Sequence, residues 1–137
     1  MLAVLLALAV PLEPGATAAR AAAERFSTAV ARADVALLRE LLPARGKVQL
    51  RLVSVGPEEG FFSAGQVQAL FRDFMARGTL RSFEPLHVED DPSRSAIVRG
   101  RSRVTTSDGR PAQIELRLTF QPEDGRWVLR EIRETPP

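Results

Sequence analysis

The chain has 137 residues, enough for one domain with a self-sufficient core. It is 45% hydrophobic and 26% charged with a net charge of +2, ordinary for a globular protein and too weakly basic to imply a nucleic-acid partner. The absence of cysteine and tyrosine excludes disulfides, thiolate metal sites, a cysteine nucleophile and a tyrosine general acid.

Residues 2–10 form an unbroken apolar run, followed by Pro11, Pro14, Gly15 and the small-residue triplet Ala16-Thr17-Ala18. A short apolar core, a helix-breaking stretch and a small-x-small triplet predict a cleavable export signal. A run of this length is too short to span a bilayer, which takes about 20 residues. The prediction is a signal peptide over 1–18 and a single domain over 19–137. The mature protein is expected in the periplasm or outside the cell, with no stable membrane insertion after cleavage. No Lys or Arg precedes the apolar run, so the amino group is the only positive charge at its front.

Residues 19–33 are alanine-rich, with Phe26, Ala29, Val30 and Ala33 at helical spacing. Asp34 is placed to cap a second helix over 35–42, ended by Pro43 and Gly46. Residues 47–55 then change to a period of two, with Val48, Leu50 and Leu52 on one side, which predicts a strand. Residues 56–60, Gly-Pro-Glu-Glu-Gly, read as a loop. Ser63 and Gln66 fit a capping box opening a third helix, whose apolar face is Val67, Leu70, Phe71, Phe74 and Met75 and whose stop is Gly78. Residues 80–90 predict a strand in which Pro85 marks an edge or a bulge.

The last forty residues hold the clearest pattern. In 94–105, Ala96, Val98, Gly100, Ser102 and Val104 alternate with Arg99, Arg101 and Arg103. In the next strand Ile114, Leu116, Leu118 and Phe120 alternate with Gln113, Glu115, Arg117 and Thr119. Ser107-Asp108-Gly109 and residues 122–125 are the turns, and 127–133 closes the sheet. Without a bulge, Val128 and Ile132 lie opposite Trp127 and Leu129. An antiparallel meander with one apolar face, preceded by segregated helices, predicts an α+β fold.

This element order resembles the nuclear transport factor 2-like superfamily. The resemblance is carried by Gly60-Phe61-Phe62-Ser63, a helix with Gln66 and Phe71 to Phe74, Ser82-Phe83, Gly100, Thr105 to Gly109, Trp127-Val128-Leu129 and Ile132-Arg133-Glu134. Within the superfamily it is most similar to an uncharacterised bacterial family. The resemblance implies N-terminal helices packed on a strongly curved, mostly antiparallel sheet, a cone with a pocket between helix and sheet. It also implies that dimers through the sheet are common. Ketosteroid isomerase relatives use an aspartate base and a tyrosine donor, and this chain has no tyrosine to fill the second role.

His87 is the only histidine and the first candidate acid or base, with Asp73 as the carboxylate to partner it. Each also has a structural reading: His87 as a surface strand residue, Asp73 as the i,i+4 partner of Arg77. Phe26, Val30, Phe62, Phe74, Phe83 and Trp127 are the residues expected to line a cone pocket, or else to pack the core. Arg99, Arg101, Arg103 and Arg117 make either an anion-binding strip or a solvated outer face. No cofactor or metal is expected. The leading expectation is an exported domain without catalytic activity that binds a small apolar ligand or an envelope protein. The alternatives are an isomerase, dehydratase or hydrolase built on His87 and Asp73, and a structural homodimer.

Overall fold

The computed structural model describes residues 15–56, 58–91 and 95–135. The apolar run at 2–10 lies outside them. Three helices, α1 (Gly15–Arg32), α2 (Val35–Arg39) and α3 (Ala64–Ala76), cover one face of a sheet built from β1 (Val48–Leu52), β2 (Glu58–Phe62), β3 (Glu84–Asp91), β4 (Ser95–Thr105), β5 (Pro111–Glu123) and β6 (Arg126–Thr135). Strand order is β2-β1-β6-β5-β4-β3. Every pairing is antiparallel except β1 with β6.

The helix boundaries follow local chemistry. Ala33 adopts a left-handed conformation at φ 53°. The Asp34 N–H then reaches back to the Ala29 carbonyl at 2.8 Å and closes α1. The Asp34 carboxylate accepts from the Leu37 N–H at 3.0 Å and opens α2. Both halves of the Ser63–Gln66 capping box are present at the start of α3. The described part of α1 runs from Gly15, so the cleavage point expected after Ala18 falls within the helix.

The sheet departs from the sequence expectation in three places. Residues 58–62, read as the end of a loop and a helix start, are an edge strand paired with β1. The second turn tightens to Asp124-Gly125, both at positive φ (50° and 79°), the conformation of a two-residue hairpin. A register shift pairs Thr119 with Glu131 but Phe120 with Leu129, leaving Arg130 as the extra residue. The bulge brings Leu129 onto the inner face with Ile132, where unbroken alternation would have separated them.

Leu50, Val98, Leu116, Leu118, Phe120, Leu129 and Ile132 supply the sheet side of the core, and Ala22, Phe26, Leu38, Val67 and Phe71 the helix side. All are essentially inaccessible to solvent. The alternation of β4 and β5 is as expected: Ala96, Val98, Gly100, Ser102 and Val104 face inward, and Arg99, Arg101 and Arg103 outward. As expected of Pro85, β3 is an edge strand with a bulge, at Leu86, between Pro85 and His87.

Candidate functional site

The aromatic residues expected around a pocket meet one another instead. The Phe26 ring lies edge-on to Phe83, centroids 5.2 Å apart, and to Phe71 at 6.3 Å. Phe71 in turn meets Phe74 at 5.4 Å. These are the edge-to-face geometries that aromatic quadrupoles favour. Ser27 Oγ donates to the Phe83 carbonyl at 2.6 Å and holds α1 against the start of β3. Phe26, Val30, Phe74 and Phe83 are therefore core residues, and Phe62 packs half-buried against the same core. Gly100 permits this arrangement, because a Cβ there would fall 2.6 Å from the Phe83 ring.

Trp127 is the exception. It lines an open groove of ≈ 680 Å³ with Thr17, Ala18, Ala21 and Arg25 of α1, Glu40 after α2, and Gly125 and Arg126 of the β5–β6 hairpin. Trp127 and the two alanines make an apolar wall. Arg25 and Arg126 bring guanidiniums to it, and Glu40 a carboxylate. Such a groove suits a small, mostly apolar molecule with an anionic end.

The hairpin is held in place by Glu123, which is buried although its neighbours in the turn are exposed. Its carboxylate accepts from the Ala44 N–H at 2.8 Å and the Arg45 N–H at 3.3 Å. Arg130 and Arg126 approach the same carboxylate at 3.2 and 3.4 Å. The Ala44 N–H first, then the Arg45 N–H and the charges of Arg130 and Arg45, hold its pKa below the ordinary carboxylate value against the opposing effect of burial. Arg126 also donates to the Glu40 carbonyl at 2.9 Å, and the Leu129 N–H to the Leu41 carbonyl at 2.8 Å. The floor of the groove is thus tied to the end of α2 at several points. Neither Glu123 nor the groove residues Arg25, Glu40 and Arg126 stand out in the sequence. Glu123 sits in a stretch whose composition signals only a turn.

His87 and Asp73 are not brought together. His87 pairs across from Arg99 on the outer face of the sheet, its Nε2 3.7 Å from Glu89. Asp73 lies on the solvent side of α3, in the helix layer, in an ion pair with Arg77 at 2.9 Å. Both side chains are more than half exposed. Among the described residues no group of three or more His, Asp or Glu is placed to hold a metal ion, and no helix is long and apolar enough to cross a membrane.

The sequence matches no protein-family model and no curated protein. Solved structures do match. A DUF4783 family protein from Bacteroides uniformis superposes with a TM-score of 0.63 at 16% identity, covering 83% of this chain and 95% of that one. A candidate dehydratase from the NTF2-like family of Streptomyces avermitilis gives 0.64 at 17% identity, with 88% and 94% covered. An NTF2-like protein of unknown function from Shewanella oneidensis gives 0.58 at 14% identity, with 84% and 93% covered. Helices lying on one face of an open, mostly antiparallel sheet, together with these likenesses, give the chain an α+β cone fold like that of the NTF2-like proteins.

Proposed function

We propose that this chain is an exported, non-catalytic binding domain, and that its ligand is a small apolar molecule with an anionic end held in the Trp127 groove. The groove is the observation that carries the reading: the Trp127 indole and Ala21 are the apolar wall that the mature chain keeps, and Arg25 and Arg126 line it beside them. The separation of His87 from Asp73 supports binding over acid/base chemistry. The apolar run at 2–10 and the Ala16-Thr17-Ala18 triplet support export. Cleavage after Ala18 takes Thr17 and Ala18 off the groove wall and leaves Ala21, Arg25, Glu40, Gly125, Arg126 and Trp127, so the mature site is wider.

Trp127 is the only tryptophan, so its emission reports on this site alone. Titration with dodecanoate is expected to shift that emission and raise Tm, and dodecanol to do so less. At a hundredfold excess over Kd the stabilisation is about 2.7 kcal/mol. Arg25→Ala is expected to narrow the difference between the two probes. Dodecanoate that changes neither emission nor Tm would refute the ligand assignment. Finding Met1 rather than Ala19 at the N-terminus of the native protein would refute export by cleavage.

A further inference from the structure

The outer sheet face carries a row of arginines, with a histidine at one end, that runs across the strands. The register sets Arg51 beside Arg133, Arg133 beside Arg117, Arg117 beside Arg99, and Arg99 beside His87. Four guanidiniums and an imidazole therefore stand one per strand on β1, β6, β5, β4 and β3. Strands are about 4.8 Å apart, so the four arginine positions span about 14 Å.

Like charges directly opposite one another destabilise a sheet. Here three Arg–Arg pairs follow in succession, and the acids around them offset the charge only in part. Glu131 is shared between Arg117 at 2.9 Å and Arg133 at 4.0 Å. Glu89 is shared between Arg99 at 3.6 Å and His87 at 3.7 Å. Glu59 stands 3.7 Å from Arg51. The two central arginines, Arg99 and Arg117, each keep a buried Nε with no hydrogen-bond partner. The row is also narrow. Glu131 and Glu89 border it on one side, and Glu115 and Glu84, both in register with Arg101, border it on the other.

We propose that this strip binds a linear, carboxylate-bearing polysaccharide lying across the strands, with the carboxylates of the side that faces the sheet on the guanidiniums of the row. Arginine forks match carboxylates in geometry as well as charge. A single chain fits between the acidic borders, whereas a planar anionic membrane would meet the borders too. Single-stranded nucleic acid calls for successive aromatic platforms, whereas the row carries only the imidazole of His87, with Phe61 exposed on the neighbouring register. A second copy placed by a two-fold axis over the row would set arginine against arginine. The strip lies on the face opposite the core and is independent of the Trp127 groove.

The test is calorimetric titration of the full chain with hexagalacturonate at low ionic strength, with maltohexaose as the neutral match. Binding of the first and not the second is expected. Arg99→Gln and Arg133→Gln are each expected to weaken it about tenfold. Arg103→Ala, which removes the same charge off the row opposite Gln113, is expected to leave affinity within about twofold. Glu131→Gln frees Arg117 and Arg133 and is expected to tighten binding, an outcome that misfolding cannot produce. Melting curves of all four variants separate lost binding from lost fold. The proposal is overturned by an absence of heat with hexagalacturonate, or by an Arg103→Ala loss equal to that of Arg99→Gln. It is overturned equally by tighter binding of single-stranded DNA or phosphatidylglycerol vesicles, or by sedimentation showing a dimer that Arg99→Gln dissociates.

Discussion

Replacing Gly100 by alanine tests how closely the β3 edge is held to the sheet. A Cβ at 100 would lie 2.3 Å from the Glu84 carbonyl oxygen and 2.6 and 2.7 Å from two atoms of the Phe83 ring. The first contact is more than an ångström inside ordinary van der Waals contact, which starts at 3.4 Å, and its partner is backbone. A ring can turn aside, but a carbonyl in the β3–β4 ladder moves only if the strands part. Overpacking of this kind costs about 1–3 kcal/mol. Stretching the ladder at the Pro85–Gly100 pair, beside the bulge, adds about 1 kcal/mol. The expected destabilisation is roughly 2–4 kcal/mol, a fall in Tm on the order of 10 °C for a domain of this size. Gly65→Ala is the control. Nothing lies within 4 Å of a Cβ there, in the first turn of α3, and a gain of about 0.4–1 kcal/mol is expected. Urea denaturation followed by circular dichroism measures both. Adding Phe83→Leu to Gly100→Ala removes the ring contacts and leaves the carbonyl, so only partial recovery is expected. Gly100→Ala within about 0.5 kcal/mol of the parent, well under the overpacking cost, would refute the reasoning. Full recovery with Phe83→Leu would show that the ring, not the strand, sets the limit.

Two further substitutions probe the frame around the groove. Ala33→Gly relieves the left-handed conformation between α1 and α2, and is expected to raise stability by about 0.5–1 kcal/mol in the same denaturation assay. Glu123→Gln is expected to lower Tm at neutral pH and to flatten its acid dependence. The folded pKa of Glu123 lies below its ordinary 4.5, so the stability it contributes is present in full above 4.5 and is lost as pH falls through the folded value. The Tm gap between parent and variant should therefore close on acidification across that window, and a gap that stays constant would show that Glu123 acts through shape alone.

The fold was legible wherever a segment's burial depends on its own sequence. β4 and β5 are half-buried along their length, so Val98, Leu116 and Leu118 alternate visibly with Arg99, Arg101 and Arg117. Asp34 and Ser63 announce helix starts because capping is a contact between residues three apart. β2 was hidden because an edge strand needs no apolar face, and Glu58-Glu59-Gly60 carries turn composition in a segment that pairs only with β1. The bulge at Arg130 left no local mark. It is fixed by what Arg130 reaches, Glu123 across the hairpin at 3.2 Å and the Arg45 carbonyl at 2.8 Å, and the second of these lies far off in sequence.

The same distinction explains why neither candidate site could be read directly. The residues expected around a pocket are large and apolar, and that property is what the core selects for. Phe26 packs on Phe83 and, through Phe71, on Phe74, so these rings bury one another. Trp127 stays half-buried because the Asp124-Gly125 turn ends the sheet beside it, and because α1 and α2 pass close enough to wall a groove without closing it. The cationic row is more remote still. Arg51, His87, Arg99, Arg117 and Arg133 belong to five different strands, and along the chain each is merely the polar member of an alternating pair. Only the register, including a parallel β1–β6 pairing and a bulge in β6 that no local pattern foretells, decides that they stand in line. A one-residue slip at that bulge would turn Arg133 inward and Ile132 outward. The burial of Ile132 and the alignment of the arginines are therefore one structural fact, and a site made this way is a property of the sheet before it is a property of any segment.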